Sequence, residues 1–159
     1  MVIILIGVSG SGKTTIGMLL AKKLGWNFYD ADDFHPEENI EKMSKGIGLT
    51  DEDRWPWLKS IRDFIDSRDE HMVFACSALK KSYRDDLRKS KSHIEFIYLK
   101  GTKELILHRL EDRKGHFASA DLLESQFQDL EEPQNIPVED ITQNPESIAN
   151  DIIKLLELQ

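Results

Sequence analysis

Short apolar runs recur along the chain, and the stretches between them have a different hydrophobic rhythm. A continuous apolar run of about four to eight residues is typical of a strand that is buried on both faces. The second run is the weakest, and its assignment depends on its position between helical stretches. The runs predict five strands at Val2–Ile6, Phe28–Tyr29, Met72–Cys76, Ile94–Leu99 and Ile136–Ile141.

The intervening stretches repeat their apolar residues every three or four positions, which indicates helices with one buried face. Asn144 followed by Pro145 marks the start of the last helix, because asparagine caps helices and proline fits their first turn. The predicted buried faces comprise Ile16, Leu19, Leu20 and Leu24; Trp57, Leu58, Ile61, Phe64 and Ile65; Leu105, Ile106 and Leu110; and Ile148, Ile152, Leu155 and Leu156.

Strand and helix patterns alternate from the first residue to the last, without a repeat or an obvious linker. This order predicts the α/β class, as a three-layer α/β/α domain with a five-stranded parallel sheet. We expect residues 1–159 to form one domain. Ligands of such a sheet bind beyond the carboxyl ends of its strands.

Composition narrows the possible partners. The net charge of −8 argues against a broad nucleic-acid surface, so an anionic ligand requires a local basic pocket. Cys76 is the only cysteine, and no internal disulfide is expected. The chain shows neither a signal-peptide pattern nor an apolar run of about 20 residues. We therefore expect a cytoplasmic enzyme with no membrane partner.

Residues 7–14 read GVSGSGKT and match the phosphate-loop pattern G-x-x-x-x-G-K-[ST] between a strand and a helix. Backbone N–H groups of such a loop surround phosphate oxygens at a helix N-terminus. Lys13 is expected to reach the β- and γ-phosphates, and Thr14 to ligate Mg²⁺. The predicted ATP-binding residues here are Gly7, Val8, Ser9, Gly10, Ser11, Gly12, Lys13, Thr14 and Thr15.

A phosphate loop alone is also compatible with a GTPase or a motor ATPase. A guanine-reading loop is absent, because the nearest string, at residues 102–105, lacks the aspartate. The third predicted strand runs into Ser77 and Ala78 rather than into an acid. The acids follow the second strand instead, at Asp30, Asp32 and Asp33, where they can serve an acceptor hydroxyl. This arrangement favours a small-molecule kinase.

The segment Tyr29–Leu58, YDADDFHPEENIEKMSKGIGLTDEDRWPWL, closely resembles the gluconokinases of the shikimate-kinase-like group. The strings CSALKKSYRDDLR, FIYLKG, RKGHF and QFQDLEEP extend this resemblance over nearly the whole chain. Gly48 departs from the pattern, where proline is expected, and should only loosen a turn. The resemblance implies ATP- and Mg²⁺-dependent phosphorylation of D-gluconate on its terminal hydroxyl, and weakly suggests a homodimer.

This resemblance also implies roles for individual residues. Asp32 is expected to be the base, with Asp30 as the alternative or as a Mg²⁺ partner through water; a turn cap is the structural alternative for Asp32. Arg54 is expected to bind the substrate, although a surface ion pair with neighbouring acids is also possible. His35 either binds hydroxyls or fixes the turn. The predicted substrate-binding residues are Asp32, His35, Arg54, Lys80 (or Lys81), Arg84 and Gln126.

A lid is implied by Arg109 and Arg113, four residues apart before Gly115. Arg109 is expected to stack on adenine, and Arg113 to be catalytic by neutralising the transferring phosphoryl group. The resemblance places the lid at about 113–125 and a substrate-binding helical segment at about 32–68. The competing functions are shikimate kinase, nucleoside monophosphate kinase and a non-catalytic nucleotide-binding switch. The serine, alanine and leucine at 77–79 argue against the first, which should show a glycine triplet there.

Overall fold

The computed structural model describes residues 1–111 and 120–158, and it contains the predicted five-stranded parallel sheet. The sheet order is β2-β3-β1-β4-β5. Each strand prediction is confirmed within a few residues, including the weak second one. The strands are β1 (Val2–Ile6), β2 (Asn27–Asp30), β3 (Met72–Ala75), β4 (Ile94–Lys100) and β5 (Val138–Asp140).

Helices connect the strands, as parallel pairing requires. A short 3₁₀ helix, Ala31–Phe34, follows β2 directly. The α-helices of the described residues are α1 (Lys13–Leu24), α2 (Glu37–Ser44), α3 (Asp51–Asp66), α4 (Lys81–Leu87), α5 (Lys103–Glu111), α6 (Ala120–Asp129) and α7 (Pro145–Leu155).

Strand β1 separates two halves of the core, because its successive side chains point to opposite faces of the sheet. Val2, Ile4 and Ile6 pack with α3 and α4 on one side. Ile3 and Leu5 pack with α1 and α7 on the other. All five are essentially inaccessible to solvent, so the sheet is covered on both faces and the three-layer prediction is confirmed.

The last helix differs from its prediction at one position. Asn144 caps α7 by accepting a hydrogen bond from Glu146 N, and Ile148 and Ile152 are buried as expected. Leu155, however, is half exposed, and Ala149 is buried. Leu155 is the last residue of the helix. Among the described residues, no helix has the length and apolarity that a membrane crossing requires.

Candidate active site

The phosphate loop lies between the carboxyl end of β1 and the start of α1, as predicted. Gly12 has a φ of +97° and precedes the first helical residue, Lys13. Gly7 has no room for a side chain, because a Cβ there would lie 2.9 Å from Leu99 O. Backbone N–H groups at the start of α1 thus face the space beyond the sheet, which suits a phosphate.

Two side chains of this loop lie where phosphate chemistry needs them. Lys13 Nζ donates to Gly7 O at 3.0 Å and to Val8 O at 2.9 Å, so its ammonium group lies over the loop. Thr14 Oγ1 donates to Asp30 Oδ2 at 3.2 Å at the mouth of the loop. Thr15 is exposed in the first turn of α1. The lysine and threonine arrangement fits the triphosphate of ATP.

The Asp30 carboxylate both caps the 3₁₀ helix and contacts the phosphate loop. Its Oδ1 accepts from Asp32 N at 2.9 Å, so Asp30, and not Asp32, caps the 3₁₀ helix. Its Oδ2 bonds Thr14, which gives two neighbouring oxygens at the loop. Oxygen ligands of this kind fit Mg²⁺, which commonly takes few protein ligands beside phosphates and waters. Among residues 1–111 and 120–158, no group of three or more Asp, Glu, His or Cys side chains is arranged to hold a metal ion by itself.

Asp32 is left free of the capping role and lines the cleft beside Lys13. Its side chain is 55% exposed, because it lies at the mouth of the cleft. Desolvation in the cleft, and next the charge of Asp30, together raise the pKa of this carboxyl to about 6, although the charge of Lys13 opposes the shift. A carboxylate with a pKa near neutrality is suited to accept a proton from a hydroxyl.

The 3₁₀ helix that carries Asp32 is fixed to α3. Trp57 Nε1 donates to Ala31 O at 2.7 Å, and the indole is buried. The same indole stacks on the ring of His35, with 4.3 Å between centroids and 12° between planes. Burial, and then the charge of Arg54, lower the pKa of His35 to about 4, so this side chain is neutral at physiological pH.

Arg54 lies in the same cleft wall and is 5% exposed, so the alternative of a surface ion pair is wrong. Its Nη1 donates to Asp129 Oδ2 at 3.0 Å and to Tyr83 OH at 2.9 Å. The guanidinium is thereby held between helices α3, α4 and α6. We call Asp32, His35, Arg54 and Trp57 the acceptor wall, because they face the phosphate loop across the cleft.

The lysine and the other arginine of the predicted substrate set lie outside this cleft. Lys80 Nζ bonds Asp51 Oδ1 at 2.9 Å, and Asp51 also accepts a short hydrogen bond from Tyr83. Tyr83 OH in turn accepts from Arg54, so Lys80 is connected to Arg54 through Asp51 and Tyr83. Lys81 is exposed and pairs with Asp85 in its own helix.

The Arg84 side chain lies outside the cleft, because its guanidinium donates hydrogen bonds to backbone carbonyls, two of them in the loop after β3. It donates to Ala78 O at 2.8 Å, to Leu79 O at 3.1 Å and to Glu131 O at 3.0 Å. Ala78 has a φ of +38°, a conformation that disfavours non-glycine residues. Arg84 thus supports a strained loop whose members Ser77 and Leu79 line the cleft.

Gln126 lies in the cleft, as expected, and makes a contact that sequence analysis missed. Its Oε1 accepts from Ser9 N at 2.7 Å, and its Nε2 donates to Ser9 Oγ at 2.9 Å. The side chain thus joins α6 to the phosphate loop. Since the two residues are 117 positions apart, no local pattern could have indicated this pair.

Of the two arginines predicted at the ATP end of the site, Arg109 lies among the described residues. Arg109 Nη2 donates to Ile141 O at 2.7 Å, which places its guanidinium beside the turn between β5 and α7. Arg113 and most of the predicted lid at 113–125 lie outside the described residues, while its last residues belong to α6. The adenine-stacking role of Arg109 remains a prediction.

Gly48 was expected only to loosen a turn, and the structure shows a close contact at this position as well. A Cβ built on Gly48 would lie 2.0 Å from Ser125 Oγ and 3.0 Å from Ser125 Cβ. The turn before α3 therefore packs closely against α6. Absence of a side chain at position 48 permits this approach.

Several members of the cleft were not predicted. Met43, Leu49 and Leu122 form a small apolar cluster at its edge, and Asp129 holds Arg54. Asn39, buried on α2, hydrogen-bonds His35. The one available signal was Asn39 itself, which is a polar residue one helical turn after the histidine.

The parallel sheet, the phosphate loop and the acidic group facing it define a phosphate-loop kinase. The chain matches the family model for shikimate kinase over residues 9–157. The thermosensitive gluconokinase of Escherichia coli K12 is 52% identical over 134 residues, which cover 82% of this chain and 72% of that protein. The chain belongs to the gluconokinase family.

Solved structures agree with this assignment. A gluconokinase from Sinorhizobium meliloti 1021 superposes with a TM-score of 0.89 and 42% identity, covering 98% of this chain and 90% of that one. An unliganded sugar kinase from Janibacter sp. HTCC2649 gives a TM-score of 0.93 and 42% identity, covering 99% and 94% of the two chains. The whole described fold, and not only its phosphate loop, is thus shared with these proteins.

Proposed function

We propose that the protein transfers the γ-phosphoryl group of ATP to the terminal hydroxyl of D-gluconate and forms 6-phospho-D-gluconate. Similarity to gluconokinases over most of the chain supports this acceptor. The structural observation that carries the proposal is a single cleft lined by Lys13, Asp32, His35 and Arg54. This cleft offers a cation for phosphates, a base for a hydroxyl and a second cation for a carboxylate.

Asp32 is the proposed base. It orients the 6-hydroxyl and takes its proton as the oxygen attacks the γ-phosphorus and the bond to ADP breaks. Its proximity to Lys13 supports this role, since the lysine neutralises the phosphates that the hydroxyl approaches. Asp32, and not Asp30, is favoured because the Asp30 carboxylate is already engaged by Asp32 N and Thr14.

Thr14, with Asp30 through water, would hold Mg²⁺, which supplies charge neutralisation at the β- and γ-phosphates. Arg113 is the proposed cation of the lid, and Arg109 the residue beside adenine. Lid closure would exclude water that otherwise hydrolyses ATP. A homodimer, a cytoplasmic location and the division of the chain into the lid and helical segment remain predictions.

Arg54 is the proposed partner of the gluconate carboxylate. Its guanidinium already pairs with Asp129, yet a guanidinium has five N–H donors and can hold more than one acceptor. Planar forked donors suit carboxylates better than a lysine does. Lys80 lies behind this group in the Asp51 and Tyr83 network, where it would support the position of Arg54.

The acceptor is tested with purified protein and Mg-ATP against D-gluconate, shikimate, AMP and CMP. We expect ADP release above background with gluconate alone. Phosphorylation of another acceptor with gluconate unchanged would contradict the proposal. Equal ATP turnover with and without every acceptor would instead support the nucleotide-binding switch.

A further inference from the structure

The hydrogen-bond donors of Asn39 are fully assigned by their surroundings. Asn39 is 2% exposed, and its Nδ2 lies 2.9 Å from Asp53 O and 3.1 Å from His35 Nδ1. A backbone carbonyl only accepts hydrogen bonds, so Asp53 O requires the amide nitrogen, not the amide oxygen, on that side. The orientation of the Asn39 amide is therefore set by the backbone of α3.

This orientation determines the protonation of His35. The second hydrogen of Asn39 Nδ2 points at His35 Nδ1, which must then accept and carry no proton. A neutral imidazole has one N–H, and it must be at Nε2. The stacking on Trp57, with 4.3 Å between centroids and 12° between planes, holds the imidazole ring in this plane.

His35 Nε2 faces the proposed base. It lies 3.9 Å from Asp32 Oδ1, which is too long for a direct hydrogen bond. A single hydroxyl oxygen about 2.8 Å from each atom would span this gap, with an angle of roughly 90° at that oxygen. One hydroxyl can therefore accept from Nε2–H and donate to Asp32 at the same time.

We propose that Asn39 is a positioning residue that fixes the Nε2–H tautomer of His35, so that His35 donates to the reacting hydroxyl and directs its proton at Asp32. This inference rests on the proposed function. The opposite tautomer would offer a second acceptor beside Asp32, and the hydroxyl proton could then point away from the base. His35 is thus a donor in substrate recognition and not a second base.

The tautomer is measured by long-range ¹⁵N–¹H NMR on ¹⁵N-histidine protein without substrate, with the signals of His35 assigned by their loss in His35→Gln. We expect a protonated Nε2 and an unprotonated Nδ1. Asn39→Asp keeps the side-chain shape but offers only acceptors, so it should move the proton to Nδ1. A wild-type Nδ1–H tautomer would overturn the inference without affecting the proposed function.

Steady-state kinetics test the consequence. Asn39→Asp should lower kcat/KM for gluconate about tenfold with KM for ATP unchanged, since one neutral hydrogen bond to substrate is lost. Asn150→Asp, an exposed position of α7, is the matched charge control and should behave like wild type. A shifted tautomer with unchanged kcat/KM for gluconate would overturn the inference.

A second variant covers the case in which Asn39→Asp does not fold. His35→Phe keeps a ring to stack on Trp57 but has no N–H, so it should show a similar loss in kcat/KM for gluconate. Full activity in folded His35→Phe would overturn the inference. A wild-type enzyme inactive on gluconate would overturn the proposed function and the substrate role of His35, whereas the NMR result would still report the tautomer.

Discussion

The phosphate loop and the acceptor wall face each other across one cleft, yet they are built in opposite ways. The loop uses contiguous residues and mainly backbone groups between β1 and α1. The acceptor wall uses side chains from three places: the 3₁₀ helix, the short segment that precedes α2, and helix α3. Its arginine is held by residues from α4 and α6. The phosphate loop is therefore determined by residues that are adjacent in the sequence, whereas the acceptor wall depends on the packing of residues that are far apart in it.

The largest expected effect tests the loop. Lys13→Ala should lower kcat roughly 10³-fold, because a fixed charge at the transferring phosphoryl group is lost. The melting temperature should change little, since the ammonium group of Lys13 lies over the loop, where it donates to the carbonyls of Gly7 and Val8. Lys22→Ala, exposed on the same helix, is the control. Near-normal turnover by folded Lys13→Ala would contradict the phosphate-loop assignment.

The second effect tests the acceptor wall. Asp32→Asn should lower kcat by about 10²-fold, because the amide cannot accept the hydroxyl proton. Stability should hold, since Asp30 supplies the cap of the 3₁₀ helix. The matched control is Asp33→Asn, an exposed neighbour. Intact kcat with a lowered melting temperature would show that Asp32 is structural, and Asp30→Asn would then be measured.

The third effect concerns pH. The folded pKa of Asp32 is about 6 and its ordinary value 3.8, so the protonated form is favoured by folding. The contribution of Asp32 to stability is therefore present below 3.8 and is lost as pH rises toward about 6. Proton acceptance has the opposite dependence, because it needs the ionised carboxylate.

We accordingly expect the ligand-free enzyme to show a carboxyl titration near pH 6 by ¹³C NMR, absent from Asp32→Asn. The kcat/KM for gluconate should fall on the acid side of that pKa, by about tenfold for each further pH unit. An Asp32 carboxyl that titrates at the ordinary aspartate value would show that the cleft does not desolvate it.

The smallest effect concerns the contact between the turn before α3, which contains Gly48, and helix α6. Gly48→Ala should lower the free energy of unfolding by about 1 kcal/mol, because the new Cβ displaces Ser125 Oγ. Most of this loss should disappear in a Ser125→Ala background, as measured by a double-mutant cycle in urea. Additive losses in the two single variants would contradict the close approach.

The features that could be predicted from the sequence are those that depend on local residues, and the features that could not be predicted depend on distant packing. The strands, the loop and the cap at Asn144 depend on neighbours in the chain, and the structure contains all of them. Arg54 was recognised as a cleft residue, but its partner Asp129 is 75 positions away. Arg84 and Lys80 were expected at substrate because they follow β3. Only tertiary packing decides that Arg84 turns to the backbone and Lys80 to Asp51.

The helix faces show the same limit on a smaller scale. The helical spacing of Leu155 predicted burial, but this last residue of α7 is half exposed. Gly48 was a departure from a family pattern, and only the position of Ser125 gives it a physical reason. Asn39 carries no chemistry in isolation, and it acquires a role through the carbonyl of Asp53.

The most direct test of the central claim is the stoichiometry of ATP use with gluconate, followed by ³¹P and ¹³C NMR of the product. We predict one ADP for each gluconate consumed, a phosphate monoester on C6, and negligible ATP hydrolysis when gluconate is withheld. ATP turnover that is independent of gluconate, or a phosphate on any other carbon, would contradict the opposed loop and acceptor wall as the site of transfer.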